Sequence, residues 1–83
     1  MSIERNVDDI LSAADDSVSL INGVNAGSWE VSGMSQSEIN DMVQRNVDHL
    51  NIVLAYEEVV ADSRDKSSYT DAVSTGEAYI AAN

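Results

Sequence analysis

Ser35-Gln36-Ser37-Glu38-Ile39-Asn40-Asp41-Met42-Val43-Gln44-Arg45-Asn46-Val47-Asp48-His49-Leu50-Asn51-Ile52-Val53-Leu54-Ala55 is the stretch on which the fold turns. Its first four residues have the form of a capping box: the Ser35 hydroxyl takes the amide three residues on, and the Glu38 carboxylate returns to the serine amide. From there Ile39, Met42, Val43, Val47, Leu50, Val53 and Leu54 recur at threes and fours, on one face of a helix, and no proline interrupts them. The stripe continues through Ala61 and through Val60 or Tyr56, which predicts one helix over about 36–62. Asp41 and Arg45, four apart, form a favourable pair worth about 0.2 to 0.5 kcal/mol. Between Ile52 and Ala61 the apolar residues spread beyond one stripe, so this section is expected to be covered from two sides, by the core and by a neighbour or the last helix.

Upstream, Ile3, Val7, Ile10, Leu11, Ala14, Val18 and Ile21 keep the same spacing and predict a first helix over about 3–21, with Ser2 at its cap and Glu4 in its first turn. Asn22-Gly23 reads as its stop, and Asn25-Ala26-Gly27 as a second flexible stretch. Residues 22–34 hold three of the four glycines and the sole tryptophan, and are expected to form the main loop. Trp29-Glu30-Val31 alternates like a strand but is too short to make a sheet, so it reads as an extended piece laid on another surface or paired with a neighbour's strand. Downstream of a polar linker at 62–68, Ser68 and Asp71 give a start signal, and Tyr69, Ala72, Val73, Gly76, Tyr79 and Ile80 form the stripe of a third helix over about 69–81. Gly76 inside it costs about 1 kcal/mol relative to alanine, which predicts a close approach to another backbone, such as helix two. The sequence therefore predicts an all-α fold: one domain over residues 1–83, a three-helix unit with a long Gly- and Trp-containing loop between its first two helices.

The chain has 83 residues, about half of them apolar when glycine is counted, enough to fold and too many for a disordered acidic tail. A domain this small buries only about 60% of its unfolded surface and commonly leans on a staple, a metal or a partner. Without cysteine it has no disulfide and no thiol redox chemistry, which suits a reducing compartment. The start, Met1 to Asp9, reads as no secretory signal, and the longest apolar run, Ile52 to Tyr56, is far short of a membrane span, so a soluble protein is expected. A net charge of −11 argues against binding nucleic-acid phosphates or anionic membranes. Residues 1–63 carry −10 of it, leaving the last twenty nearly neutral. Such a protein stays apart by self-repulsion or docks on a positive surface.

No residue set makes a catalytic, cofactor or metal site. His49 has Arg45, Asn46, Ile52 and Val53 as its helical neighbours, with no second ligand, and reads as structural. The serines fall in caps and loops, where bonds to backbone account for them. Adjacent acids at 8–9, 15–16 and 57–58 diverge by about 100 degrees on a helix and make no dyad. Asp8, Ser12, Asp15 and Asp16 share a face that reads as solvated, and Gly23 to Gly27 lacks the lysine of a phosphate loop. Trp29 is divided between two roles: anchor in a partner's pocket, or cap folded back on the helices. The expected partner-binding residues are Trp29, Val31, Ile52, Tyr56, Val59 and Tyr79.

Val43 to Ala55, with Asn46-Val47-Asp48-His49-Leu50 at its centre, and Ser67 to Ile80, with Ala72-Val73-Ser74-Thr75-Gly76-Glu77-Ala78-Tyr79, resemble small acidic proteins of tailed bacteriophages. The likeness covers about half the chain. It implies a head-associated accessory protein of the virion without enzymatic activity, and no cofactor. The expectation is a capsid decoration or cement protein bound to the major capsid protein or another virion protein, with a homo-oligomer also open to it. A neck or tail adaptor is the alternative in the same class. An acidic mimic of DNA, occupying a basic nucleic-acid-binding protein, is the alternative from another class.

Overall fold

The computed structural model describes residues 6–83, and all their regular structure is helical: α1 Val7–Ala26, α2 Gln36–Ala55, α3 Glu57–Ala61 and α4 Ser67–Ala82. Among the described residues there is no strand, and Trp29 to Val31 form part of an irregular loop. The three long helices each pack on the other two. Gly76 lies against Val47 and Ile21, the Tyr69 hydroxyl reaches Asp15, and Tyr79 meets Gln36, so α4 runs parallel to α1 and antiparallel to α2. Ile10, Leu11, Ala14, Ile21 and Val24 of α1 meet Ile39, Val43, Val47, Leu50 and Val53 of α2, with Tyr69 and Ala72 of α4 closing the core.

The expected boundaries shift in ways that local chemistry explains. Asn6 caps α1, its side chain accepting from the Asp8 amide at 2.8 Å; Ser2 and Glu4 lie outside the described residues. Asn22-Gly23 does not stop the helix, which runs on to Ala26. Gly27 at φ +78° ends it in the left-handed conformation, with the amides of Ser28 and Trp29 both donating to the Gly23 carbonyl. Gly23 sits inside the helix because the Trp29 ring lies against it: a Cβ there would stand 2.9 Å from Trp29 Cε3. The loop is consequently 27–35. Its second left-handed glycine, Gly33 at φ +81°, turns the chain between Val31 and Met34, whose carbonyl and amide are 3.1 Å apart.

Ser35 and Glu38 close the expected capping box in both directions. The single helix expected to 62 is instead broken at Tyr56, which takes an extended conformation (ψ 134°) before the one-turn α3. Neither proline nor glycine causes this. The break turns Val59 into the core, fully buried. Among the described residues Asp41 and Arg45 form no ion pair; the pairs present join Arg64 to Asp8 and to Asp62. α4 begins two residues earlier than expected, and not through Ser68 and Asp71. The Asp65 carboxylate accepts the Ser67 amide and hydroxyl, each at 2.9 Å.

The close packing expected at Gly76 is present, but against side chains of α2 and α1 and not against a backbone. A Cβ placed on it would lie 2.5 Å from Val47 Cγ2 and 3.4 Å from Ile21 Cγ2 and Val43 Cγ1, so the missing side chain is what lets α4 close on α1 and α2.

Candidate functional interface

The six expected partner-binding residues do not form one surface. Val59 is fully buried, so it is removed from any interface: the break at Tyr56 sets its side chain inward and leaves the next residue, Val60, outward. Val31 is half-buried against the core. Tyr79 is half-buried too, its hydroxyl held by Gln36 Nε2 at 2.9 Å, in a contact between the start of α2 and the end of α4. Tyr56, at the break, is half-buried against the core. Trp29 folds back on the last turn of α1, over Gly23, and keeps 39% of its surface in water.

Ile52 remains, 55% exposed. With Asp41, Arg45 and Asp48 it forms an outward stripe of α2, at steps of four, three and four residues, and it is the stripe's only apolar member. The last helix does not cover this side: the buried residues of α2, which meet α1 and α4, lie on its opposite face. Val60, on α3, is 65% exposed and was not among the residues singled out from sequence. Ile52 and Val60, with Ala55 and Ala61, are exposed on either side of the corner where α2 turns into α3. It is bordered by Asp48, Glu57 and Glu58, which have no ion-pair partner among the described residues. Two of the three basic side chains in the second half of the molecule are engaged elsewhere, and Arg45 has no ion pair among the described residues. Arg64 bridges Asp62 at 2.7 Å and Asp8 at 2.8 Å, and Lys66 donates to the carbonyls of Asp62 and Arg64. Asp62 and then Asp8 push the Arg64 pKa well up, and the Arg64 guanidinium and amide hold the Asp62 carboxyl below its ordinary range.

A second group lies between α1 and α2. Ser17, 3% exposed, has its Oγ 2.9 Å from Asn46 Oδ1 and 2.8 Å from His49 Nδ1. Asn46 Nδ2 donates to the Met42 carbonyl at 2.8 Å, which fixes Oδ1 as the atom facing Ser17. The hydroxyl has one hydrogen, and it must go to Oδ1, since two bare acceptors at that distance would repel. His49 therefore donates from Nδ1, and its neutral form carries the lone pair on Nε2. A serine beside a histidine resembles a nucleophile and base, but the proton count runs the wrong way: the hydroxyl hydrogen points at Asn46, and the facing histidine nitrogen already holds a proton. The group ties α1 to α2 in one register.

The acids of α1 are less idle than the solvated-face reading holds. Asp8 pairs with Arg64, and Asp15 accepts from the Tyr69 hydroxyl at 2.8 Å. Burial, then that bond, pushes the Tyr69 phenol up to about 12. Elsewhere hydrogen bonds lower carboxyls: Glu38 through the Ser35 amide and hydroxyl, Glu30 through the Ser32 side chain and amide, Asp65 through the Ser67 amide and hydroxyl. Among the described residues no three His, Cys, Asp or Glu side chains gather in a way that would hold a metal, and no helix is long and apolar enough to cross a membrane. No protein-family model, curated protein or solved structure matches this chain.

Proposed function

We propose that this chain is a non-enzymatic structural protein of a bacteriophage particle, docked on the major capsid shell as a decoration or cement subunit. The observation that carries the reading is at that corner: Ile52 and Val60 stand in water, 55% and 65% exposed, on a domain with too small a core to waste large side chains. The phage-like residues support it in their own way. Val47 and Gly76 are the contact of α2 with α4, and Asn46 and His49 hold α2 to α1, so the likeness falls on the framework that presents the corner. The working principle is linkage. A subunit that binds the assembled shell and not its free components shifts the equilibrium towards assembly, and many weak copies add up.

Particles purified with and without this protein test the proposal. Those lacking it should lose resistance to heat and to osmotic shock; unchanged resistance would count against a cementing role. The charge of −11 favours a second reading, an acidic mimic of DNA on a basic protein. Such a mimic would bind with a steep loss of affinity on raising salt, whereas apolar docking would survive it.

A further inference from the structure

We infer that the corner where α2 turns into α3 is the docking surface, and that its occupant is a protein surface with an apolar centre and a rim of lysine and arginine. The inference rests on the adhesive reading above and names the partner's chemistry. Of the three large exposed apolar side chains among the described residues, Trp29 is seated on Gly23, whereas Ile52 rises from a stripe otherwise made of charged residues and Val60 follows the core residue Val59. Both corner residues stand within nine positions of each other along the chain, on either side of the break at Tyr56.

Charge selects the occupant. Asp48, Glu57 and Glu58 border the corner, with Glu57 and Glu58 in the first turn of α3, and among the described residues none is matched by a cation. A second copy would bring the same acids against them, on a chain already at −11, so a self-complementary contact is opposed at every turn. A cationic rim removes that repulsion and pairs the three carboxylates around a dry apolar centre, the arrangement of a protein interface. Arg45, between Asp41 and Asp48 on the same stripe, places one positive charge at the edge and calls for an acidic or neutral group opposite it.

The test titrates the isotope-labelled full chain with three synthetic helical peptides of equal length: one with a leucine face and a lysine face, one with the leucines replaced by glutamine, and one with the lysines replaced by glutamate. The leucine and lysine peptide should shift the amides of residues 52–61 first and saturably, and the glutamine control should bind at least about tenfold more weakly. Ile52→Asp, and separately Val60→Ser, should weaken binding by a similar factor while leaving the helical circular dichroism unchanged, as both side chains are exposed. The inference is overturned if the glutamine or the glutamate peptide binds as well as the leucine and lysine one, if the shifts centre on the Trp29 loop or spread over all acids, if none of the three binds, or if light scattering shows a dimer that Ile52→Asp abolishes. The phage reading fails separately, in the particle experiment, whichever way the peptides behave.

Discussion

Gly76→Ala probes the tightest of the glycine contacts. In most helix interiors this change stabilises by about 1 kcal/mol, because alanine is the better helix former. Here the new methyl would stand 2.5 Å from Val47 Cγ2, about 1.3 Å inside an ordinary carbon contact, with Ile21 and Val43 methyls 3.4 Å away on either side. Val47 cannot swing clear. It is 1% exposed, and a valine in a helix has a single strongly preferred rotamer. Relief must come from moving α4 off α2, an overpacking cost of about 2 to 3 kcal/mol for so short a contact, set against the roughly 1 kcal/mol of propensity gained. The net expectation is a loss of about 1 to 2 kcal/mol, or a fall in Tm of about 4 to 15 °C for a chain this size. Urea and thermal unfolding followed by circular dichroism read it directly. In a Val47→Ala background the obstructing methyl is gone, and Gly76→Ala should then stabilise, giving a coupling of about 2 kcal/mol between the two sites. A Gly76→Ala protein more stable than the parent, or the same effect in both backgrounds, would refute the close-approach argument.

Other consequences are as specific. Because the Tyr69 phenol is raised above its unfolded value, the stability it supplies is complete below pH 10 and lost as the pH climbs towards about 12. Tyr69→Phe should cost about 1 kcal/mol at neutral pH and flatten that alkaline loss, as unfolding curves at pH 8 and 11 would show. Ser17→Ala leaves Asn46 Oδ1 and His49 Nδ1 without their shared partner and should cost about 1 to 3 kcal/mol; long-range nitrogen NMR of the parent should find the proton of neutral His49 on Nδ1, and an Nε2 proton there would contradict the hydrogen count. Ser35→Ala removes one half of the capping box and should lower stability by about 1 kcal/mol, measured by urea unfolding. Raising sodium chloride at neutral pH should raise the Tm by screening a chain of charge −11, so a Tm that falls with salt would argue that ion pairs, not repulsion, dominate.

Features set by near neighbours were legible in the sequence. The capping box of Ser35 and Glu38 needs only four residues, and a glycine in the stripe of α4 announces close packing whatever the partner. Asn22-Gly23 was misleading because a glycine that ends a helix and one that clears room for a ring look alike; Trp29, six residues on, decides between them in space. The break at Tyr56 has neither proline nor glycine to mark it in the sequence, and it exchanged the roles of Val59 and Val60. Ser17 carries a signal of its own: it lies three residues after Ala14 and four before Ile21, in core register. Its partners Asn46 and His49 are half-buried at the edge of the α2 stripe and carry no such mark.

A cryo-electron-microscopy map of the intact particle, at a resolution that shows side chains, tests the central claim most directly. The account predicts this chain on the outer shell, with Ile52 and Val60 buried against the major capsid protein and lysine or arginine facing Glu57 and Glu58. A particle without the chain, or a bound chain whose α2–α3 corner faces solvent, would contradict it.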